Sequence, residues 1–170
     1  MPSLRPADRS APDTSVRLSI PPESGLVRFV RLVSVALARI NRVADEVIDD
    51  VRLATGEACS RAVAAHRVSG LADHVVVEIT GGKGLSIVVR DLQPLPAATG
   101  MRAADLLRQS VVSASGVGSG MPGGSWLIDA ADEESILPEA IGLIVGLADD
   151  VLVETGPRGT SVAMTWVATR

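Results

Sequence analysis

The chain has 170 residues with 46% hydrophobic content, a size at which one compact domain can bury about two thirds of the surface that it exposes when unfolded. Its formal net charge is -4 with both signs interspersed, and it has no Tyr and a single Phe, so neither a basic stripe nor an aromatic stacking surface for nucleic acid is expected. One Cys and the lack of a long apolar run predict a cytoplasmic protein without a membrane segment.

The first part of the chain predicts a strand followed by two helices. Residues 1–14 are rich in Pro and show no periodicity, so we predict a disordered tail before a single domain over residues 15–170. Ser15–Ile20 alternates apolar and polar residues, as a half-buried strand does. Apolar residues at three- and four-residue steps then predict two helices. The first stripe comprises Leu26, Phe29, Val30, Val33, Leu37 and Ile40, and the second, within a helix from about Val43 to His66, comprises Val47, Val51, Ala54, Ala58, Ala62 and Ala65.

The middle of the chain predicts a hairpin and then a long loop. Strands over His74–Thr80 and Leu85–Asp91 flank a glycine-rich turn, which favours an antiparallel pair. Residues 92–135 show weaker patterns and many Gly and Ser residues, with a helical pattern only over Met101–Val112. A loop of this length in a compact domain is typical of a lid or binding loop.

The last part predicts a helix and a closing hairpin. Apolar periodicity favours a helix over Ile136–Ala148, and strands over Val151–Glu154 and Ser161–Val167 flank a Gly-Pro turn. The order of elements predicts an α+β fold: a two-layer sandwich in which a mostly antiparallel sheet is covered by helices on one face.

Three segments of the chain carry a family resemblance. They are Val51–Val63 on the second helix, Ile87–Asp91 at a strand end, and Ala140–Val162 over the last helix and hairpin. Together they resemble the anti-sigma factor and serine-protein kinase branch of the ATPase family shared with histidine kinases and gyrase. The resemblance implies the histidine-kinase-like ATPase fold over about residues 15–168, with the loop at 92–135 unmatched.

The first segment is similar to the helix that bears the family's Glu-x-x-x-Asn box. In that family the Glu is the general base and the Asn holds Mg²⁺. The Glu is present as Glu57, but Arg61 stands at the Asn position, and a guanidinium cannot bind a metal ion. The four-residue spacing predicts that Glu57 and Arg61 pair, and without the resemblance this pair is an ordinary helix salt bridge.

The other segments imply an altered nucleotide site. Asp91 matches the adenine-binding Asp, but the glycines that follow it in the family are missing here. Of the glycine-rich box at the last helix only Gly142 remains, and Glu139 adds negative charge near the expected phosphates. Gly159 and Thr160, the pair that helps to hold the Asp, are intact, although Asp91 and this pair equally fit a plain strand end and hairpin turn. We therefore expect no cofactor, with ATP and Mg²⁺ only if the site is functional, and no cluster with metal-ligand spacing is present.

The resemblance also implies partners. In that branch a basic residue early in the first helix contacts the sigma factor, and Arg28 stands at the matching place, so Arg28 and Arg31 are candidate partner-binding residues; a solvated helix face is the alternative. We expect a homodimeric anti-sigma factor that sequesters an alternative sigma factor and is antagonised by an anti-anti-sigma factor. One alternative is an active ATP-dependent serine-protein kinase of that antagonist, with Glu57 as base and Arg61 as phosphate clamp. The other is a domain that binds a metabolite in the loop at 92–135.

Overall fold

A computed structural model describes residues 14–94, 98–102 and 140–168. They form one sheet of six strands and two long helices, with a further helical stretch at residues 140–145. The strands are β1 (Ser15–Ile20), β2 (Val75–Gly81), β3 (Gly84–Arg90), β4 (Ala98–Arg102), β5 (Asp150–Gly156) and β6 (Gly159–Val167). The helices are α1 (Val27–Ile40) and α2 (Ile48–Val68). No helix in this described part is long and apolar enough to cross a membrane.

The sheet is antiparallel throughout, in the order β1-β2-β3-β6-β5-β4. Strand β6 lies between β3 and β5, so residues far apart in sequence are paired at the centre, as Val89 is with Val162. Alternate residues of β2, namely Val75, Val77 and Ile79, are buried beneath α1 and α2, which pack on one face of the sheet. The predicted two-layer α+β architecture is confirmed.

Helix α1 is rotated relative to its predicted apolar stripe. Val30 and Leu37 are buried as expected, but Phe29 is 48% exposed and Ile40 is 54% exposed. The buried face instead includes Ser34, whose hydroxyl donates a hydrogen bond of 2.8 Å to the carbonyl of Val30. Because this bond satisfies the hydroxyl within the helix, a polar residue is tolerated against α2 and part of the apolar stripe faces outward.

Helix α2 begins five residues later than predicted, at Ile48 instead of Val43. Arg42 has φ of +57°, and this turn after α1 directs Val43 into an isolated bridge with Ala168. A short 3-10 turn, Asp45–Val47, then leads into α2. Of the predicted stripe, Val47 lies in the 3-10 turn and is partly buried. The remaining residues are buried in α2 and allow α1 and α2 to pack closely: Val51, Ala54, Ala58, Ala62 and Ala65.

One predicted helix is wrong at its start. Met101 and Arg102, placed by the periodicity in a helix over Met101–Val112, lie in β4 and pair with Val153 and Leu152 of β5. Strand β4 provides hydrogen-bond partners for the backbone of the outer edge of β5. The stabilisation from this long-range pairing outweighs the weak local preference for a helix. The expected loop at 92–135 therefore contains a strand. Residues 103–139, with the remainder of that helix and of the proposed lid, lie outside the described residues, as do residues 1–13 of the proposed tail.

The last helix also ends earlier than Ala148. Its helical conformation stops at residue 145. Tight turns follow, in which the amides of Gly146 and Leu147 donate hydrogen bonds to the carbonyls of Leu143 and Ile144, respectively. These turns direct the chain into β5. The indole nitrogen of Trp166 on β6 donates a hydrogen bond of 2.8 Å to the carbonyl of Leu147, which joins this turn to the sheet.

Candidate functional site

The centre of the candidate site is the carboxylate of Asp91, which directly follows β3 and is only 2% exposed. Its Oδ1 accepts hydrogen bonds from the backbone N–H of Thr160 at 3.1 Å and of Gln93 at 3.0 Å. Its Oδ2 accepts a hydrogen bond from Nη2 of Arg61 on α2. A carboxylate offers about four acceptor positions, so three are filled by the chain itself.

The turn between β5 and β6 is shaped to approach Asp91. Gly159 has φ of +110°, a conformation that side chains other than Gly rarely adopt, and a Cβ there would lie 1.9 Å from the carbonyl oxygen of Asp91. The amide of Asp91 also donates to the carbonyl of Thr160 at 3.0 Å. The Gly-Thr pair therefore brings the hairpin into backbone contact with the end of β3, which a larger residue at position 159 would prevent.

Arg61 pairs with Asp91 and not with Glu57, which corrects the prediction of a pair along α2. The Arg61 side chain is buried and forms its ion pair with Asp91, 30 residues away, whereas no ion pair joins Glu57 to Arg61. A surface pair four residues apart contributes little, while a buried guanidinium needs a partner carboxylate within reach. Arg61 therefore turns inward to the sheet, and Glu57 remains partly exposed on the helix.

Two polar side-chain atoms of the residues that bind the Asp91 carboxylate have no hydrogen-bond partner among the described residues. They are Nε of Arg61 and Oγ1 of Thr160, both buried. Leaving such atoms without partners is costly in a protein interior, so this region is a polar cluster that is not fully satisfied by the described residues.

His66, in the last turn of α2, holds the chain segment after Asp91. It is fully buried; its Nδ1 donates to the carbonyl of Asp73 at 2.8 Å, and its Nε2 accepts from the amide of Leu92 at 2.9 Å. These two partners define a neutral ring with the proton on Nδ1. The sequence alone did not single out His66, because its position near the end of a helix does not show which loops it contacts.

Cys59 is a buried residue of α2 in the hydrophobic core. Burial raises the pKa of its thiol to about 12, against smaller opposing effects of Arg31 and Arg61. The thiol is therefore protonated at neutral pH and cannot act as a nucleophile there.

The remaining predicted site residues are spread over other parts of the fold. Gly142 lies in the helical residues 140–145 and is partly buried, while Glu139 falls outside the described residues. Arg28 on α1 is exposed and stacks over the ring of Phe29 with 5.0 Å to its centroid. Arg31 is partly buried, not fully solvated: its guanidinium lies over Gly56 of α2, where an added Cβ would be 2.1 Å from Nε.

Comparison with known proteins gives one family. The model of the histidine kinase-like ATPase domain matches residues 20–166. This range includes both long helices and all six strands, except most of β1 and the last residue of β6. No curated protein matches the chain significantly. The matched region contains Glu57, Arg61, Asp91 and Thr160, so the polar cluster lies within the family's domain. The chain belongs to the histidine kinase-like ATPase domain family.

Proposed function

We propose that this chain is a protein-binding member of its family: an anti-sigma factor that sequesters an alternative sigma factor and does not use ATP. The main observation in support of the absence of ATP binding is the buried ion pair between Arg61 and Asp91. The anti-sigma assignment is supported by the resemblance of Val51–Val63, Ile87–Asp91 and Ala140–Val162 to that branch.

The ion pair competes directly with adenine. An adenine that takes the place of Arg61 on the Asp91 carboxylate would leave the displaced guanidinium buried without a counter-charge. Removing one partner of a buried pair costs about 3–5 kcal/mol, which corresponds to a loss of roughly two to four decades in affinity. Arg61 also supplies no oxygen ligand for Mg²⁺. The residues present therefore do not fit the nucleotide and metal that the family implies.

Sequestration needs no chemistry on this chain. An anti-anti-sigma factor that binds the same surface as the sigma factor excludes it, so the free concentration of the antagonist sets how much sigma factor is released. We further propose that the protein acts as a homodimer.

Calorimetric titration with Mg-ATP tests the loss of nucleotide binding. The wild-type protein should give no binding heat, and micromolar binding would overturn the proposal. Affinity isolation from the source cell, followed by mass spectrometry, tests the partner. Recovery of a sigma subunit supports the function, and its absence from an otherwise efficient isolation counts against it.

A serine-protein kinase is the second candidate, favoured by the state of Glu57. Its carboxylate is not paired with Arg61, which leaves it available as a general base. In that case Arg61 would have to leave Asp91 to hold a phosphate. Radiolabelled phosphate transfer from ATP to an anti-anti-sigma partner, abolished by Glu57→Ala, would establish this activity in place of the first.

A further inference from the structure

Strand β1 is one edge of the sheet, and its outer side pairs with no other strand in the described part of the chain. This edge is regular: Ser15–Ile20 keeps one register with β2, whereas at the opposite edge β4 changes register against β5 between Ala98 and Met101. Proline residues follow only after the strand has ended, at positions 21 and 22. A regular edge without proline or bulge is a template for pairing with another strand.

The backbone groups that face the free edge follow from one hydrogen bond. The amide of Gly81 donates to the carbonyl of Thr14 at 2.7 Å, so Thr14 directs its backbone toward β2. In an antiparallel ladder, every second residue directs both its N–H and its C=O to the same neighbouring strand. The even-numbered residues of β1 therefore bond to β2, and the odd-numbered residues direct their backbone groups outward: Ser15, Arg17 and Ser19.

The side chains of β1 alternate in the same way. Val16, Leu18 and Ile20 face the helix-covered side of the sheet and pack against the core, but they are only partly buried. On the opposite face, the side chain of Arg17 is 67% exposed and is bound to Glu78 at 2.9 Å. The edge therefore presents an apolar row that is incompletely covered, and no charge points from it toward the core side.

A second copy of β1 fits this edge when the two strands run antiparallel about a two-fold axis. Outward-directed residues must meet outward-directed residues, so only a few registers are possible. With Leu18 at the axis, Leu18 lies opposite its own copy and Val16 lies opposite Ile20. Arg17 then lies opposite Ser19, and each of these two equivalent pairs exchanges both backbone hydrogen bonds. The apolar row continues from one sheet into the other.

The neighbouring registers fit less well. With Arg17 at the axis, two guanidinium groups stand directly opposite each other, which destabilises a pair of strands. With Ser19 at the axis, Arg17 lies opposite Pro21, which has no N–H to donate. A slip by one residue would bring apolar side chains to the polar face. The register centred on Leu18 is therefore favoured by both charge and hydrogen bonding.

We propose that β1 pairs with β1 of a second copy of this chain, antiparallel and centred on Leu18, so that two six-stranded sheets become one continuous sheet. The inference rests on the homodimer of the proposed function and adds the surface and the register through which it forms.

Amide hydrogen exchange of the full chain tests the alternation within β1. In the dimer, the amides of Arg17 and Ser19 should exchange slowly, and dilution to the monomer should accelerate their exchange by at least about tenfold. The amides of Leu18 and Ile20 bond to β2 in both states, so dilution should leave their exchange unchanged.

Ser19→Pro removes an outward N–H and leaves the hydrogen bonds between β1 and β2 intact, since proline is tolerated where the N–H of an edge strand faces solvent. Each interface loses two donors, so the dissociation constant from analytical ultracentrifugation should rise by at least about tenfold. Ser19→Ala is the matched control. It loses the same hydroxyl, which bonds to His74 at 3.0 Å, but keeps the N–H and should leave the dimer unchanged.

Cysteine cross-linking tests the register. In a Cys59→Ala background, Leu18→Cys places two thiols at the axis in a pair whose Cα atoms are about 4.5 Å apart, a separation that a disulfide spans. Oxidation by copper phenanthroline should give a covalent dimer. Ser15→Cys in the same background is the control, because its two copies would lie about 20 Å apart and should not cross-link.

The outcomes separate this interface from the rest of the proposed function. A wild-type protein that stays monomeric overturns the interface together with the homodimer. A dimer that Ser19→Pro leaves intact, or that Ser15→Cys cross-links as fast as Leu18→Cys, overturns the interface alone. Slow exchange of the Arg17 and Ser19 amides in the monomer also overturns it, because another segment of the same chain would then cover the edge. Sequestration of a sigma factor is tested separately by the affinity isolation.

Discussion

Arg61 of α2 and Asp91 at the end of β3 form an ion pair in which both side chains are buried, so helix and sheet are joined by a pair of opposite charges inside the molecule. The backbone amides of Thr160 and Gln93 hold the same carboxylate. Any exchange of partners at this carboxylate must therefore also alter the contact between α2 and the sheet.

Loss of one partner of this pair should destabilise the protein strongly. Arg61→Ala leaves the Asp91 carboxylate buried without a counter-charge, and we expect a loss of about 3–5 kcal/mol in the free energy of unfolding. Urea denaturation followed by the fluorescence of the buried Trp166 measures it. Arg61→Met combined with Asp91→Asn should recover much of the loss, because it removes both charges and keeps an acceptor for the Thr160 amide.

Arg17→Ala is the control for that series. Arg17 also pairs with a carboxylate, Glu78 at 2.9 Å, but on the exposed face of the sheet. We expect a change below about 1 kcal/mol. Equal effects of Arg17→Ala and Arg61→Ala would contradict a special contribution of the buried pair.

Gly159→Ala should disrupt the contact between the β5–β6 hairpin and Asp91. The new Cβ would meet the Asp91 carbonyl, a backbone atom that cannot move without displacing β3, and the positive φ adds strain. We expect a loss of more than about 2 kcal/mol in the free energy of unfolding. Gly156→Ala, in the same hairpin with open space around it, should stay within about 0.5 kcal/mol, and thermal denaturation of the two variants should differ accordingly.

His66→Ala should loosen the segment after Asp91. It leaves the Leu92 amide and the Asp73 carbonyl without partners and removes a buried ring, so we expect a loss of at least about 2 kcal/mol. Amide hydrogen exchange at Leu92 should accelerate. His74→Ala, which removes an exposed ring whose one hydrogen bond to the described residues is with Ser19, is the control and should leave that exchange unchanged.

Cys59 should make stability fall at alkaline pH. The thiol of the unfolded chain ionises near pH 9, but the pKa of the folded thiol is about 12, so the folded state keeps a proton that the unfolded state releases. Between these values the free energy of unfolding should decrease by about 1.4 kcal/mol per pH unit from this group. In Cys59→Ala, the decrease in the free energy of unfolding per pH unit over this range should be smaller by that amount. Iodoacetamide at pH 8 should label Cys59 only after denaturant is added.

Local periodicity predicted most of the fold. The alternation of apolar and polar residues predicted β1 with its observed bounds, Ser15–Ile20. The spacing of small residues in α2 predicted which face of that helix is buried. Strand β4 was not predicted, because it exists through pairing with β5 and not through its own pattern. The outward rotation of Phe29 and Ile40 likewise depends on how α1 packs against α2.

The residues of the polar cluster were identified by resemblance, but their connections were not. The four-residue spacing on a helix favours Glu57 as the ion-pair partner of Arg61, because the sequence alone shows only which residues are close along the chain. The partner in the structure, Asp91, becomes available through the packing of α2 on β3. His66 was missed as part of this region for the same reason, because Leu92 and Asp73 reach it from two different loops.

The place of β6 between β3 and β5 has a consequence for the order of folding. The β2–β3 and β5–β6 hairpins join near neighbours in sequence, whereas the pairing of Arg90 with Ser161 closes a loop of about 70 residues. Such distant pairings form slowly, because the entropy of loop closure must be overcome before contacts compensate for it. Asp91 and Thr160 lie where the two hairpins meet, so we expect the hydrogen bonds between them to form only when the hairpins dock.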